Sequence, residues 1–417
     1  MQWAGVGMWM VFGLSACSPT KTEIGNLNVI PQPQEVSQDI QAHPFVINPQ
    51  TGIVYPEGNE KLQRTAEFLA SYIKEATGIT VRTTTEAAKK NSIILAVDSS
   101  ITNKEGYQLE VTSENIHLNG GSESGVFYGM QTLYKALPLT KNKQVSAAIP
   151  VGTVNDYPRF GYRGFMVDVG RHYFPVSYLK QIIDMLALHN INYFHWHLTE
   201  NQSWRLQSKI FPMLNDSVNT TRMPGKYYTL EEAKDLVAFC KAHNILLIPE
   251  FDMPGHSEAF VRTFRHDMQS PEGMKILKLL VDEVCETFDV PYLHIGTDEV
   301  RFTNPKFVPE MVEYVRAKGK KVISWNPGWH YKPGEIDMTH LWSYRGKAQK
   351  GIPAIDSKFH YLNHFDTFGD IIALYNSRIY NVEQGSDDIA GTILAIWNDR
   401  YVALSLIHIS EPTRLRR

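Results

Sequence analysis

The stretch RGFMVDVGRHYFPVSYLKQIIDMLALHNINYFHWHL, Arg163 to Leu198, contains a strand, a helix and a second strand in that order. FMVDVG and YFHWHL are short runs of β-branched, aromatic and other apolar residues, as strands require. Between them Leu179, Ile182, Ile183 and Leu186 recur at helical spacing behind Pro175, a residue suited to a helix start. Strands that alternate with helices imply parallel pairing.

The pattern continues outward through ILLIPEFD, YLHIGTDE, KVISWN, THLWSY, KFHYLN and GTILAIWN, which makes eight runs before Arg400. TLEEAKDLVAFCKAHN and GMKILKLLVDEVCETF supply further helices. Eight such units in about 240 residues match the size of a (β/α)8 barrel. A doubly wound open sheet is the alternative, but it does not need polar residues at so many strand ends. In a barrel, the C-terminal strand ends converge on one mouth. Those ends carry Asp168, Arg171, His197, Glu200, Asp252, His256, Asp298, Glu299, Trp325, Trp342, Tyr361, Asn363, Trp397 and Asp399. Carboxylates mixed with aromatics suit a carbohydrate site, where rings cover the C–H face of a sugar and polar groups hold its hydroxyls.

The 28–150 region mixes strand-like runs with two helix candidates, NEKLQRTAEFLASYIKEATG and SESGVFYGMQTLYKALP. Leu62, Ala66, Leu69 and Ile73 form one apolar stripe on the first. This predicts a small α+β domain without evident chemistry, joined through DYPRFGYRG to a barrel domain over 157–403. Leu404–Arg417 break off from the pattern and resemble translated adapter read-through, which leaves the barrel without its last helix.

With 417 residues, 43% hydrophobic content and a formal charge of −3, the composition singles out no polyanionic partner, so nucleic acid is excluded as a ligand class. Of the three cysteines, Cys240 and Cys285 fall on helical apolar spacing and read as core residues, not a disulfide or metal framework. Cys17 follows an apolar stretch too short to span a membrane, and LSAC resembles a bacterial lipobox, although no Lys or Arg precedes the run. The expectation is a signal over 1–17 and a lipidated Cys17 that holds the protein at a bacterial cell envelope, membrane contact being limited to that anchor. A plain cleaved signal and an uncleaved anchor are the alternatives.

YLHIGTDEV, Tyr292 to Val300, ends an apolar strand on two adjacent carboxylates. In a bare sequence such a pair reads as a cap and a surface ion pair. Adjacent side chains of a strand point to opposite faces, so Asp298 and Glu299 reach one pocket only where the strand ends and twists. A protonated carboxylic acid beside an ionised one suits cleavage of a glycosidic bond.

The long stretch from Arg163 onward, LIPEFDMPGHSEA and HIGTDEV together resemble family 20 glycoside hydrolases, the β-N-acetylhexosaminidases. The resemblance covers Gly164 to Arg400, and the region before it is similar to the family's small leading domain. It implies exo-hydrolysis of terminal β-linked N-acetylglucosamine or N-acetylgalactosamine, with the substrate's own acetamido carbonyl as nucleophile and no cofactor. Glu299 would then be the general acid and base, and Asp298 would orient the acetamido group. Arg171 would bind O3 and O4, Trp325, Trp342 and Trp397 would line the acetamido pocket, Tyr361 would bond the acetamido oxygen, and Asp252 and His256 would support proton transfer.

Four positions depart from the family's pattern: Thr297 replaces a Gly, Glu200 an Asp, Asn363 the Asp on the O6 side, and Asp399 a Glu that binds O4. A neutral Asn363 predicts acceptance of an anionic 6-substituent such as sulfate. Two rivals remain. HWH, His195 and His197, puts two imidazoles on one strand face as a metal-dependent hydrolase would, although later strand ends offer aromatics in place of further ligands. A non-catalytic sugar-binding lipoprotein would use the same mouth, but it has no need of a general acid.

Overall fold

The structure is a computed structural model that describes residues 21–399 except 87, 142, 144, 359 and 364–370. Cys17 and Leu404–Arg417 lie outside the described residues. The chain forms two compact units that meet in sequence between Tyr157 and Pro158, within the expected junction.

The first unit holds a seven-stranded mixed sheet with the order Glu35–Asp39, Val151–Asp156, Tyr107–Val111, Asn115–Gly120, Ser92–Val97, Gly52–Val54 and Arg82–Thr84. A separate three-stranded sheet pairs Ser146–Ile149 with Thr22–Ile24 and Phe45–Ile47. Its first helix, Glu60–Thr77, starts at an Asn59 cap and stops at Gly78 in the left-handed conformation. Leu62, Ala66, Leu69 and Ile73 are fully buried, so the expected stripe is the packing face. The second helix, Glu123–Ala136, buries nearly its whole circumference.

The second unit is a closed barrel of eight parallel strands. They are β1 (Tyr162–Asp168), β2 (Tyr193–His197), β3 (Leu246–Glu250), β4 (Tyr292–His294), β5 (Lys321–Asn326), β6 (Met338–Leu341), β7 (Ala354–Asp356) and β8 (Ile389–Ile396). Helix Val176–Leu188 follows β1 and buries Leu179, Ile182, Ile183 and Leu186 against the barrel. Helices Leu230–Ala242 and Pro271–Thr287 follow β2 and β3, the former opened by a Thr229–Glu232 capping box. Helix Phe307–Ala317 follows β4. Among the described residues, loops replace helices after β5 and β6. Cys240 and Cys285 lie unpaired within two of these helices. Among the described residues, no helix is long and apolar enough to cross a membrane.

Two strand readings are corrected. The seventh strand is Ala354–Asp356, not KFHYLN; the latter contributes one isolated bridge, Tyr361 to Ala395. Only a short apolar AID segment is needed to close a buried parallel ladder, and it carries too few residues to show a period. β4 stops at His294, so Gly296 to Glu299 belong to a loop rather than to the strand end.

Candidate active site

The loop after β4 explains how two adjacent carboxylates take up different environments. Gly296, Thr297 and Glu299 all have positive φ, at 68°, 87° and 48°, so the chain reverses instead of alternating faces. For Thr297, a β-branched residue, this is a strained conformation, held from two sides. Its N–H donates to Asp252 Oδ1 at 3.2 Å, and its hydroxyl lies 2.6 Å from Ser324 Oγ on β5. Asp298 is thereby turned inward with its side chain 13% exposed, while Glu299 points outward at 57%.

His256, also at positive φ, stands between these carboxylates and the barrel interior. Its Nδ1 is 3.0 Å from Glu200, and its Nε2 is 3.6 Å from Glu299 Oε2 and 3.9 Å from Asp298 Oδ2. Burial works against its charge, but the hydrogen bond to Glu200 and the nearby Asp252 and Asp298 push it up to about 10, so it is an imidazolium. Burial pushes Asp298 up to about 6; Glu250 and Glu299 add to this, and His256 and His197 oppose it. Burial, reinforced by Asp298, holds Asp252 well above the usual carboxylate range. Burial acts the same way on Glu200, but His197, His256 and Arg171 outweigh it and keep Glu200 ionised.

Arg171, on the loop after β1, pairs with Asp168 at 3.0 Å, with Glu200, and with Asp399 at 3.5 Å. Its guanidinium lies 5.3 Å from the Trp397 ring centre, a cation–π distance. Asp168 in turn accepts the backbone N–H groups of Arg171 and Asn398, which ties the loop after β1 to the end of β8. This edge of the mouth is a planar donor fork backed by carboxylates, suited to holding neighbouring hydroxyls.

Trp397 and Tyr361 form an aromatic wall with ring centres 5.9 Å apart, and Trp397 rests on Trp325 at 5.8 Å and on the His197 edge at 5.1 Å. Trp342 donates its indole N–H to the Pro327 carbonyl at 2.7 Å, which fixes its ring beside that wall.

Sequence profiles described as "Glycosyl hydrolase family 20, catalytic domain" and "Glycosyl hydrolase family 20, domain 2" match residues 160–306 and 26–157. The chain belongs to glycoside hydrolase family 20. It is 31% identical over 334 residues to a β-hexosaminidase of Porphyromonas gingivalis, an overlap of 71% of this chain and 42% of that one. A β-hexosaminidase of Akkermansia muciniphila is 33% identical over 244 residues, covering 51% of this chain and 49% of the relative. The chain therefore spans about half the length of these relatives. In fold it is similar to the β-N-acetylhexosaminidase of Streptomyces coelicolor A3(2), with TM-score 0.80 and 23% identity over 91% of this chain and 88% of that one. The enzyme of Bacteroides fragilis NCTC 9343 gives 0.76 and 24%, over 90% and 86%.

Within this family 20 chain, the structure gathers Arg171, Glu200, Asp252, His256, Asp298, Glu299, Tyr361, Trp397 and Asp399 around one mouth, with three differences from expectation. Trp325 lies a layer deeper than a pocket wall: it is 1% exposed, gives its indole N–H to Glu250 at 2.6 Å and stacks on His340. Glu200 is buried and committed to Arg171 and His256, so its carboxylate orients other groups instead of facing the opening. The Asn363 amide is also committed. It accepts the Trp397 backbone N–H at 3.0 Å and donates to the Trp397 backbone carbonyl, which ties it to the residue that follows β8.

Sequence reading missed Glu250, which is fully buried on β3, accepts from His197 and Trp325, and has His195 Nε2 at 2.8 Å and His294 Nδ1 at 3.1 Å. The signal was a lone acid inside an apolar strand, which must find partners when buried. The HWH imidazoles do share a face, and both reach one oxygen of Glu250. Among the described residues, His195–Glu250–His294 and Asp252–His256–Asp298 are close enough to share an ion. Groups outside the two clusters engage some of these residues: Glu250 Oε1 accepts the Trp325 indole N–H, Asp252 Oδ1 accepts the Thr297 N–H, and His256 Nδ1 lies 3.0 Å from Glu200.

Proposed function

We propose that the chain is a retaining β-N-acetylhexosaminidase that removes terminal β-linked N-acetylglucosamine or N-acetylgalactosamine from glycans. The observation that carries this reading is the reversal at Gly296–Glu299, which gives the two carboxylates different surroundings beside one imidazolium. The names of the P. gingivalis and A. muciniphila relatives support it.

In the proposed reaction, the substrate's acetamido carbonyl oxygen attacks its own anomeric carbon while Glu299 protonates the leaving oxygen. An oxazolinium ion results, and water deprotonated by Glu299 opens it with net retention. Asp298, ionised above pH about 6, accepts the acetamido N–H and stabilises the positive charge that develops. Arg171 with Asp399 takes the sugar's O3 and O4, and Trp397, Trp342 and Tyr361 enclose the acetamido group. Unsubstituted and 6-sulfated sugars are both proposed substrates: the Asn363 amide is held by the Trp397 backbone, and as a neutral group it puts no carboxylate there to repel a sulfate. We further propose that Cys17 is lipidated and retains the protein at the cell envelope; labelling by radioactive palmitate that disappears in Cys17→Ala would bear on this directly.

The test is release of p-nitrophenol from its β-N-acetylglucosaminide by the full chain, with Glu299→Gln beside it. The expected result is turnover by the parent and a loss of about 100-fold or more in the variant, restored in part by a more acidic leaving group. A folded parent without turnover would overturn the proposal.

A further inference from the structure

The catalytic loop is connected to the barrel interior by an alternating series of carboxylates and imidazoles. Glu250 Oε2 lies 2.5 Å from His197 Nδ1. His197 Nε2 is 3.7 Å from Glu200 Oε1, and Glu200 Oε1 is 3.0 Å from His256 Nδ1. His256 Nε2 completes the series at 3.6 Å from Glu299. Every member except Glu299 is largely buried, so water screens these contacts weakly and each group sets the charge of the next.

We propose that Glu250 and His197, neither of which faces the mouth, are positioning residues for the hexosaminidase reaction: Glu250 anchors His197 as a fixed cation that holds Glu200 toward His256 and favours the ionised form of Asp298. The inference rests on the function proposed above.

His195 provides an internal control. It approaches the same Glu250 oxygen at 2.8 Å from the same strand and is equally buried, but it faces His294, Trp325 and His340 along the barrel axis and does not lead to the mouth. The charge states of the two histidines follow their surroundings. Burial pushes His195 down to about 4, despite Glu250. Burial acts on His197 in the same sense, but Glu250, Glu200 and Asp168 outweigh it and lift His197 well above the ordinary range. Around Asp298 the charged or titratable neighbours are His256, Glu250, Glu299, His197, Asp252 and Tyr361. Removing the His197 cation therefore raises the proton affinity of Asp298, whereas removing neutral His195 takes no charge away.

The experiment compares His197→Asn with His195→Asn in the full chain, using aryl-glycoside kinetics against pH and 13C NMR titration of the Asp298 carboxyl. In His197→Asn, kcat is expected to fall about tenfold or more with KM within about threefold, and the acid limb to move up by about 0.5 to 1 in pH. The Asp298 titration should move by the same amount. His195→Asn is expected to lower thermal stability but to leave the limb and kcat in place. Glu250→Gln should reproduce the kcat loss; if it does not fold, the histidine pair decides alone. Equal behaviour of the two histidine variants, or an unmoved Asp298 titration in His197→Asn, would overturn the proposal. A parent that never turns over would refute the function while the NMR comparison still tests the network.

Discussion

Replacing Gly296 by alanine tests whether close packing under the catalytic loop, and not glycine's conformational freedom alone, sets the loop's shape. A Cβ built there would collide with the Asp252 carboxylate and lie only 2.8 Å from the Asp252 Cα, so moving the side chain aside does not relieve the clash. Holding alanine at a φ of 68° costs about 1–2 kcal/mol. Displacing the Asp252 carboxylate also frees the buried Thr297 N–H, which adds about 1–3 kcal/mol. The expected destabilisation is therefore about 2–5 kcal/mol. Gly319→Ala is the matched comparison: its φ is 78°, yet nothing lies within 4 Å of the added carbon, so it should lose only about 1–2 kcal/mol. Urea unfolding of both variants gives the two values, and the aryl-glycoside assay on the folded Gly296→Ala fraction gives the effect on rate. A shift of about 1 Å in the Asp298–Glu299 loop is expected to cost on the order of 100-fold in kcat. Equal destabilisation of the two variants, with kcat unchanged in Gly296→Ala, would refute the argument.

Three further outcomes are expected. Asp298 has a folded-state pKa raised from 3.8 to about 6, so the stability tied to its protonated form is present below pH about 4 and is lost as pH rises through about 6. Asp298→Asn should therefore be nearly neutral to stability at about pH 4 and stabilising by up to about 3 kcal/mol at about pH 7.5, while activity falls; urea midpoints at the two pH values would measure this. Arg171→Lys replaces a planar fork held by Asp168, Glu200 and Asp399 with a point charge, so kcat/KM is expected to fall by about 100-fold and thermal stability to drop. Asn363→Asp would set a carboxylate against the Trp397 carbonyl, and hydrolysis of the unsubstituted sugar should fall rather than improve. Higher activity on that substrate would show that the amide is free to read O6.

The run of alternating segments from Gly164 to Arg400 was legible because each helix repeats its apolar residues with a period near 3.6 and each strand is a short apolar block. The same rule misplaced β7, since the segment Ala354–Asp356 is too short to have a period and KFHYLN next to it looks more strand-like. The mouth residues were legible because a barrel collects strand ends on one face, so position along the chain was enough to nominate Arg171, Asp298, Glu299 and Trp397. Position could not tell which polar groups face the opening and which are used up inside the protein. Trp325 stands near the end of β5 and Glu200 and Asn363 in segments beyond β2 and β7, and each has polar atoms committed to protein partners.

Sequence by itself determined the barrel, the leading α+β unit and the presence of an adjacent carboxylate pair, because these follow from local periodicity and from residue identity. Only the tertiary structure decided that Asp298 turns inward and Glu299 outward, because that depends on Thr297 being held at positive φ by Asp252 and Ser324 from neighbouring parts of the barrel. It likewise decided the charges: a buried carboxylate or imidazole takes its protonation state from whichever groups the fold places within a few ångströms, and Glu250, His197, Glu200 and His256 come from segments that meet only when the barrel closes.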